Sequence, residues 1–413
     1  MRLKTAYTNL LLFLLSLSLH AQQTPRCELQ ILETPEDLAR QAEIELHTQN
    51  WIQNNSSQAS AREVITIPVV VHVVYFDDIE NIPDQQIFEQ LEVLNEDFRF
   101  LNEDTDGIPS LFRGAAADVE MEFCLVSIDP GGEATTGITR TQTMYECIGN
   151  TVDELDGNGK PRLFYSDEGG VDVWDTEQYL NLYVANTCER FLGRAKLPGT
   201  ASPNEDAPVI DYDHFGGNCT PSARPFHLGR TATHELGHFF NLRHIYGSNS
   251  GCNDDDFVAD TPLQGAAYRG CPPHPQLSCS SFDQFMNFMD LVDDICMKMF
   301  TNGQKDRMLA SLAPGGPRSG LAMHSLCAPP TVSTEDVLTV FPNPVRACLH
   351  FDFQTKHTGP VDVRLYNALG QLVYKRRSNS FALKPIDTAN LSAGIYWLVV
   401  AYEDEVVSRK VVK

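Results

Sequence analysis

Three histidines and one glutamate carry the clearest chemistry in the chain: His234-Glu235-Leu236-Gly237-His238, then His244. On a helix, His234 and His238 stand four residues apart, so both imidazoles leave from one face and can share a single ion. Glu235 lies beside them, placed to polarise a metal-bound water and not to ligate the metal. His244 comes too late to continue that helical face, so the chain must turn sharply to bring it back as a third ligand. Such a turn usually needs φ > 0, and Asn241, the most tolerant residue after glycine, occupies the pivot. Three neutral imidazoles leave a fourth tetrahedral position for water, the pattern of a catalytic zinc site. A surface helix with solvated histidines is the alternative.

Elements able to position such a site surround it. Residues 65–76 are a β-branched run that reads as a buried strand. A helix opens at Pro83 with Ile87, Leu91, Leu94 and Phe98 on one face. Residues 119–125 and 179–184 read as further strands, and the mixture suggests an α/β or α+β domain. After a linker over 329–337, residues 338–413 show short β-rich runs separated by turn signals such as Phe341-Pro342-Asn343-Pro344. Short strands at roughly ten-residue spacing argue for a small all-β sandwich, and it holds no cluster of catalytic residue types.

The 413 residues include 31 Lys+Arg and 55 Asp+Glu, a net charge of −24. That balance excludes a nucleic-acid binder relying on a basic surface. With 42% hydrophobic and 21% charged residues, wholesale disorder is excluded too. Arg2 and Lys4 precede the apolar run from Leu10 to Leu15, and Ala21 ends the segment: residues 1–21 read as a secretory signal peptide, too short to span a membrane. The mature protein is therefore expected to be soluble and exported, with no transmembrane segment. Residues 22–62 form a polar pro-segment with a short helix at 35–45. The 11 cysteines suit an oxidising compartment, and their odd number leaves at least one without an intramolecular partner. The pairing of Cys124, Cys147, Cys188, Cys219, Cys327 and Cys348 stays open.

The long histidine motif resembles that of the metzincin zinc proteases, and the wider match is to their pappalysin family. Supporting pieces stand in order: Ile67-Pro68-Val69-Val70-Val71-His72, Asn95-Glu96-Asp97-Phe98, Val209-Ile210-Asp211-Tyr212, Gly229-Arg230-Thr231-Ala232 and Asn287-Phe288-Met289-Asp290. The resemblance implies a metzincin-type zincin catalytic domain of α+β class over 63–328, with a twisted mixed sheet, an active-site helix and a loop-rich C-terminal subdomain. It implies Met289 as the Met-turn residue under the histidines, and disulfides Cys252–Cys279 and Cys271–Cys296. The family usually has Tyr two residues after that Met, where this chain has Leu291; losing one oxyanion donor can cost ~10²–10³ in kcat.

The same resemblance places Asp294 in the S1′ pocket, selecting Arg and then Lys at P1′, because only Arg offers a bidentate contact. A solvated loop charge beside Asp293 is the other reading. Cys27, preceded by Arg26, resembles the N-terminal cysteine that blocks the metal in several relatives. It would keep the precursor latent until a cut near Arg62; a disulfide to another cysteine is the alternative. Asp254, Asp256, Asp260 and Thr261 offer hard oxygen ligands and could hold Ca2+, or could form a solvated acidic loop.

At the other end, Phe341-Pro342-Asn343-Pro344, Leu391-Ser392-Ala393-Gly394-Ile395-Tyr396 and the closing Lys410-Val411-Val412-Lys413 resemble the type A sorting domain of the type IX secretion system. This implies the type IX machinery as a partner and export from a Bacteroidota-type bacterium, into the medium or onto the cell surface. A carbohydrate-binding or adhesive sandwich is the alternative. Two functions then compete. One is a secreted zinc endopeptidase, made as a zymogen and acting on proteins or peptides. The other is a noncatalytic, exported, zinc-stabilised binding or adhesion protein on a protease fold. Glu235 separates them, because a scaffold needing only the metal has no use for a general base beside the water.

Overall fold

The computed structural model describes residues 26–27, 34–55, 63–217, 225–247, 251–323, 326–327, 337–345, 348–354, 360–379, 385–402 and 405–413. The expected signal peptide, Arg62, Cys219 and all of the expected linker except its last residue lie outside them.

Helix α1 (Pro35–Asn55) runs well beyond the 35–45 segment that the sequence suggests. Its second half is stabilised by contacts that propensity does not register: His47 Nε2 lies 3.1 Å from Ala310 O, and Glu45 takes the Arg307 guanidinium at 3.0 and 2.8 Å. The β-branched run becomes strand β1 (Ile65–Tyr75), buried along its interior on both faces. Pro83, in extended backbone, caps helix α2 (Asp84–Phe98), whose Ile87, Leu91, Leu94 and Phe98 all enter the core.

Strands β2 (Met121–Leu125), β3 (Ile138–Gln142), β4 (Leu180–Ala185), β5 (Gly193–Arg194) and β6 (Val209–Asp211) complete a mixed sheet ordered β2-β1-β4-β6-β5, with β3 also on β1. Pairing is parallel throughout except for β5 on β6, so the two-residue β5 forms an antiparallel edge. Helix α3 (Arg230–Phe239), buried along its whole length, packs under this sheet with α2.

Beyond α3 the chain has little regular structure until α4 (Asn302–Leu312); a small hairpin, β7 (Leu277–Ser278) and β8 (Ser281–Phe282), interrupts it. Disulfides Cys252–Cys279 and Cys271–Cys296 hold this stretch. Cys124–Cys327 and Cys147–Cys188 add two more staples, Cys348 is also disulfide-bonded, and Cys27 is free. α4 starts at a capping box of Thr301 and Gln304, a Thr-x-x-Gln signal legible in the sequence although it was not used above.

The C-terminal strands are β9 (Val337–Phe341), β10 (Cys348–Gln354), β11 (Pro360–Asn367), β12 (Leu372–Asn379), β13 (Ile386–Asp387), β14 (Ile395–Tyr402) and β15 (Glu405–Val412). They form two antiparallel sheets, β13-β10-β9 and β12-β11-β14-β15. Alternating residues from both, among them Phe351, Phe353, Val361, Val363, Leu398 and Val400, share one core. Among the described residues, no helix is long and apolar enough to cross a membrane.

Candidate active site

Helix α3 begins at Gly229, whose φ of +75° only glycine adopts at little cost, and carries His234 and His238 one turn apart. It ends at the expected pivot: Asn241 adopts φ +76°, with Leu242 N donating to Gly237 O at 2.9 Å. That left-handed residue reverses the chain and returns His244 to the helix. The three Nε2 atoms then stand 3.1–3.2 Å from one another, and all three imidazoles are buried.

Second contacts fix the rings. His234 Nδ1 donates to Phe288 O at 2.7 Å and His238 Nδ1 donates to Leu242 O at 2.8 Å. A carbonyl can only accept, so in neutral rings these bonds leave Nε2 of both residues as a lone pair aimed into the shared space. Burial holds His234 and His244 well below the ordinary histidine range and His238 at about 4, so all three are neutral near pH 7. Lone pairs gathered at this separation repel unless a cation lies between them, so this donor set fits a divalent ion with nitrogen preference.

Met289 lies beneath the histidines. A Cβ added at Gly237 would run into its sulfur, so the glycine inside the motif is what lets the Met-turn approach. Glu235 is fully buried on the other side, with the Cys27 thiol beside it. Burial raises its pKa to about 8, against the pull of Cys27 and Arg26. Gly193 on β5 is equally constrained: a Cβ there would sit 2.6 Å from Glu235 Cγ. Its role was not read from the sequence, where a lone glycine in a two-residue strand gives no signal.

Arg26 and Cys27 enter this cleft along β5. Cys27 bridges to Gly193 in parallel, and Gly193 N donates to Arg26 O at 3.1 Å. Cys27 Sγ stands 3.4 Å from His238 Nε2, and the ligand atoms of Cys27, His234, His238 and His244 all lie within 4.8 Å of one another. Arg26 is fully buried: Nη2 meets Asp294 Oδ1 at 2.5 Å, Nη1 donates to Val292 O at 2.6 Å, and the guanidinium lies 4.9 Å from the Phe226 ring centre. Asp294 also accepts from Leu228 N at 2.7 Å. It is therefore buried and ion-paired, not a solvated loop charge. Arg26 was noted in the sequence only as the neighbour of Cys27.

The candidate calcium residues do not converge. Asp260 accepts from Thr301 Oγ1 and Gly303 N at the start of α4, whereas Asp256 takes Thr261 Oγ1 and Val258 N. With those oxygens committed to separate local bonds, the four residues form no shared oxygen cage; the one possible metal cluster among the described residues is the histidine–cysteine set. Leu291 is nearly buried and brings no polar atom to the cleft.

Residues 165–313 match the family described as pregnancy-associated plasma protein-A, and residues 339–413 match the secretion system C-terminal sorting domain. An extracellular metalloprotease of Colletotrichum graminicola is 30% identical over 258 residues, 60% of this chain and 76% of the relative. Mature mirolysin of Tannerella forsythia, solved with a cleaved peptide, is 40% identical with a TM-score of 0.60, covering 65% of this chain and 100% of that one. A promirolysin mutant from the same organism is 37% identical with a TM-score of 0.62, covering 72% and 97%. The chain is a pappalysin-family metalloprotease. Its sorting domain marks it for type IX secretion, in keeping with the extracellular location of its relatives.

Proposed function

We propose that this pappalysin is a zinc-dependent endopeptidase, made as a latent precursor and selective for Arg, then Lys, at P1′. The convergence of one free thiol with three neutral imidazoles carries the reading. His234, His238 and His244 would hold the zinc ion. Cys27 would take the remaining position in the precursor, since a thiol at zinc is deprotonated and binds strongly. When bound, zinc supplies Lewis acidity, which polarises the scissile carbonyl and makes water a better nucleophile.

Glu235 accepts the proton of the attacking water and delivers it to the departing amine nitrogen. Its full burial beside the three histidines, with no ion pair to a cation among the described residues, supports this role, because a purely structural carboxylate so placed would only destabilise the fold. Arg26 fills the pocket that a P1′ side chain would fill, and Asp294 is the charge it meets. On this reading residues 22–62 are the pro-segment and 63–328 the catalytic domain.

Mature protein freed of the pro-segment should cleave casein, lose that activity with a zinc chelator and regain it with added Zn2+. Zinc-replete mature protein that leaves casein and Arg-containing peptides intact would favour the noncatalytic binding protein instead.

A further inference from the structure

Gln41, Ile44, Glu45, Thr48 and Trp51 stand at helical spacing on one face of α1, and that face lies against the catalytic domain. Gln41 Nε2 donates to Pro198 O at 2.5 Å, and Arg40 Nη1 to Gly199 O at 2.9 Å. Gly199, at φ +77°, admits the helix: a Cβ there would sit 2.7 Å from Arg40 Cδ and 2.9 Å from Ile44 Cδ1. Trp51 packs against the main core. Glu45 takes both arms of the Arg307 fork, and Arg307, on α4, is almost wholly buried. The same guanidinium lies 3.4 Å from Asn241 O, while Asn241 Nδ2 donates to Thr48 Oγ1 at 3.2 Å. The helix thus grips the pivot of the third histidine twice, directly through Thr48 and through Arg307. None of these contacts involves Cys27 or Arg26.

We propose that α4, the turn at Pro198-Gly199 and Asn241 form a helix-binding groove that holds the pro-segment after the chain is cut, so that it stays on the enzyme as a bound inhibitor. The proposal rests on the reading of residues 22–62 as a pro-segment. A cut before β1 breaks one covalent link and leaves every contact above in place. The groove specifies its partner by chemistry: a helix with a carboxylate for Arg307, an amide four residues earlier and a hydroxyl three residues later. A planar guanidinium meeting both carboxylate oxygens is the strongest of these contacts, and losing the carboxylate would leave a cation in a covered site. With α1 seated, Cys27 remains tethered close to the histidines at high effective concentration. Activation then needs two events, the cut and the loss of α1 from its groove.

The test uses the full chain with a recognition sequence for an unrelated protease placed between Asn55 and Glu63. After the cut, the fragment carrying α1 should co-elute with the remainder on gel filtration, in the parent and in Cys27→Ala alike. Glu45→Ala keeps a good helix former and removes the carboxylate; it should weaken retention of a fluorescently labelled fragment by about thirtyfold or more. Cleavage of a quenched peptide should rise as the fragment is lost, not when the chain is cut. A parent fragment that separates as soon as the chain is cut would overturn the groove. So would retention abolished by Cys27→Ala but indifferent to Glu45→Ala, because the thiol alone would then be the anchor. Retention that follows Glu45, in a protein that cleaves nothing even when zinc-loaded and fragment-free, would sink the endopeptidase reading and leave the groove standing.

Discussion

Arg26 and Asp294 are both fully buried, 268 positions apart in the chain, and their charged groups meet at 2.5 Å. A buried ion pair is costly to leave half-made, so a pocket lined by Asp294 should bind a cation once Arg26 has gone. Asp294→Asn keeps an acceptor for Leu228 N and removes the charge. Its kcat/KM for peptides with Arg at P1′ should fall about thirtyfold or more, the equivalent of about 2 kcal/mol, while apolar P1′ residues change little. Peptide-library profiling decides this: apolar P1′ residues dominating in the parent, or a profile indifferent to the substitution, would remove Asp294 from specificity.

Latency should depend on the neighbouring residue. Cys27→Ala leaves Arg26 in its pocket but takes the thiol from the histidines, so the precursor should leak activity that the parent precursor lacks. Cys27→Ala together with Arg26→Ala should leak more, since the second grip on the cleft is also gone. The measurement is cleavage of a quenched peptide by the uncut precursors. A Cys27→Ala precursor as silent as the parent would end the switch idea.

How far the sequence announced this arrangement depends on the range of each interaction. The spacing of His234 and His238 states a helical face, and Asn241 between His238 and His244 states a turn; both are local relations, and the fold keeps them. The β-branched run at 65–75 and the alternating strands of the sandwich are legible for the same reason. What stayed hidden is long-range. Gly193 matters only because β5 passes against Glu235, and Arg26 only because a chain end crosses to Asp294. The oxygen-rich run from Asp254 to Thr261 read equally as a cation loop or a solvated acidic one, because composition does not reveal that Asp260 accepts from Thr301 Oγ1 and Gly303 N at the start of α4.

Ligation and proton transfer reside in different side chains and should separate by mutation. Glu235→Ala should retain zinc near parental content and lose nearly all proteolysis, because no histidine contact is removed. His244→Ala should lose most of its zinc, whereas His274→Ala, in the disulfide-held loop, should not. Elemental analysis of the dialysed mature proteins reads all three. Parental turnover in zinc-replete Glu235→Ala would refute the assignment of the base, and equal zinc in the two histidine variants would remove His244 from the ligand set.

Arg230 opens the active-site helix and ties it to the pocket. Its guanidinium grips Asp104 at 2.7 and 2.9 Å, approaches Asp97 at 3.5 Å and donates to the Asp294 and Met297 carbonyls. Arg230→Ala should destabilise the catalytic domain by about 3–5 kcal/mol, because it strands buried acceptors and a buried carboxylate. The loss should also grow with pH. Burial already raises Asp97 to about 6 even with Arg230 drawing it down, whereas Arg230 holds Asp104 well below the usual range despite burial. A carboxyl raised in the fold binds its proton more tightly there than in the unfolded chain, so its contribution to stability falls as pH climbs from about 4 through the folded value. Without Arg230, Asp97 moves further up, which penalises the variant more at pH 8 than at pH 5, whereas Asp104, still lowered by Lys298, loses only part of its depression and adds a penalty already complete near pH 5. Thermal melts of parent and variant should therefore differ more at pH 8 than at pH 5; a gap that is constant, or wider at pH 5, would mean that Arg230 does not neutralise Asp97.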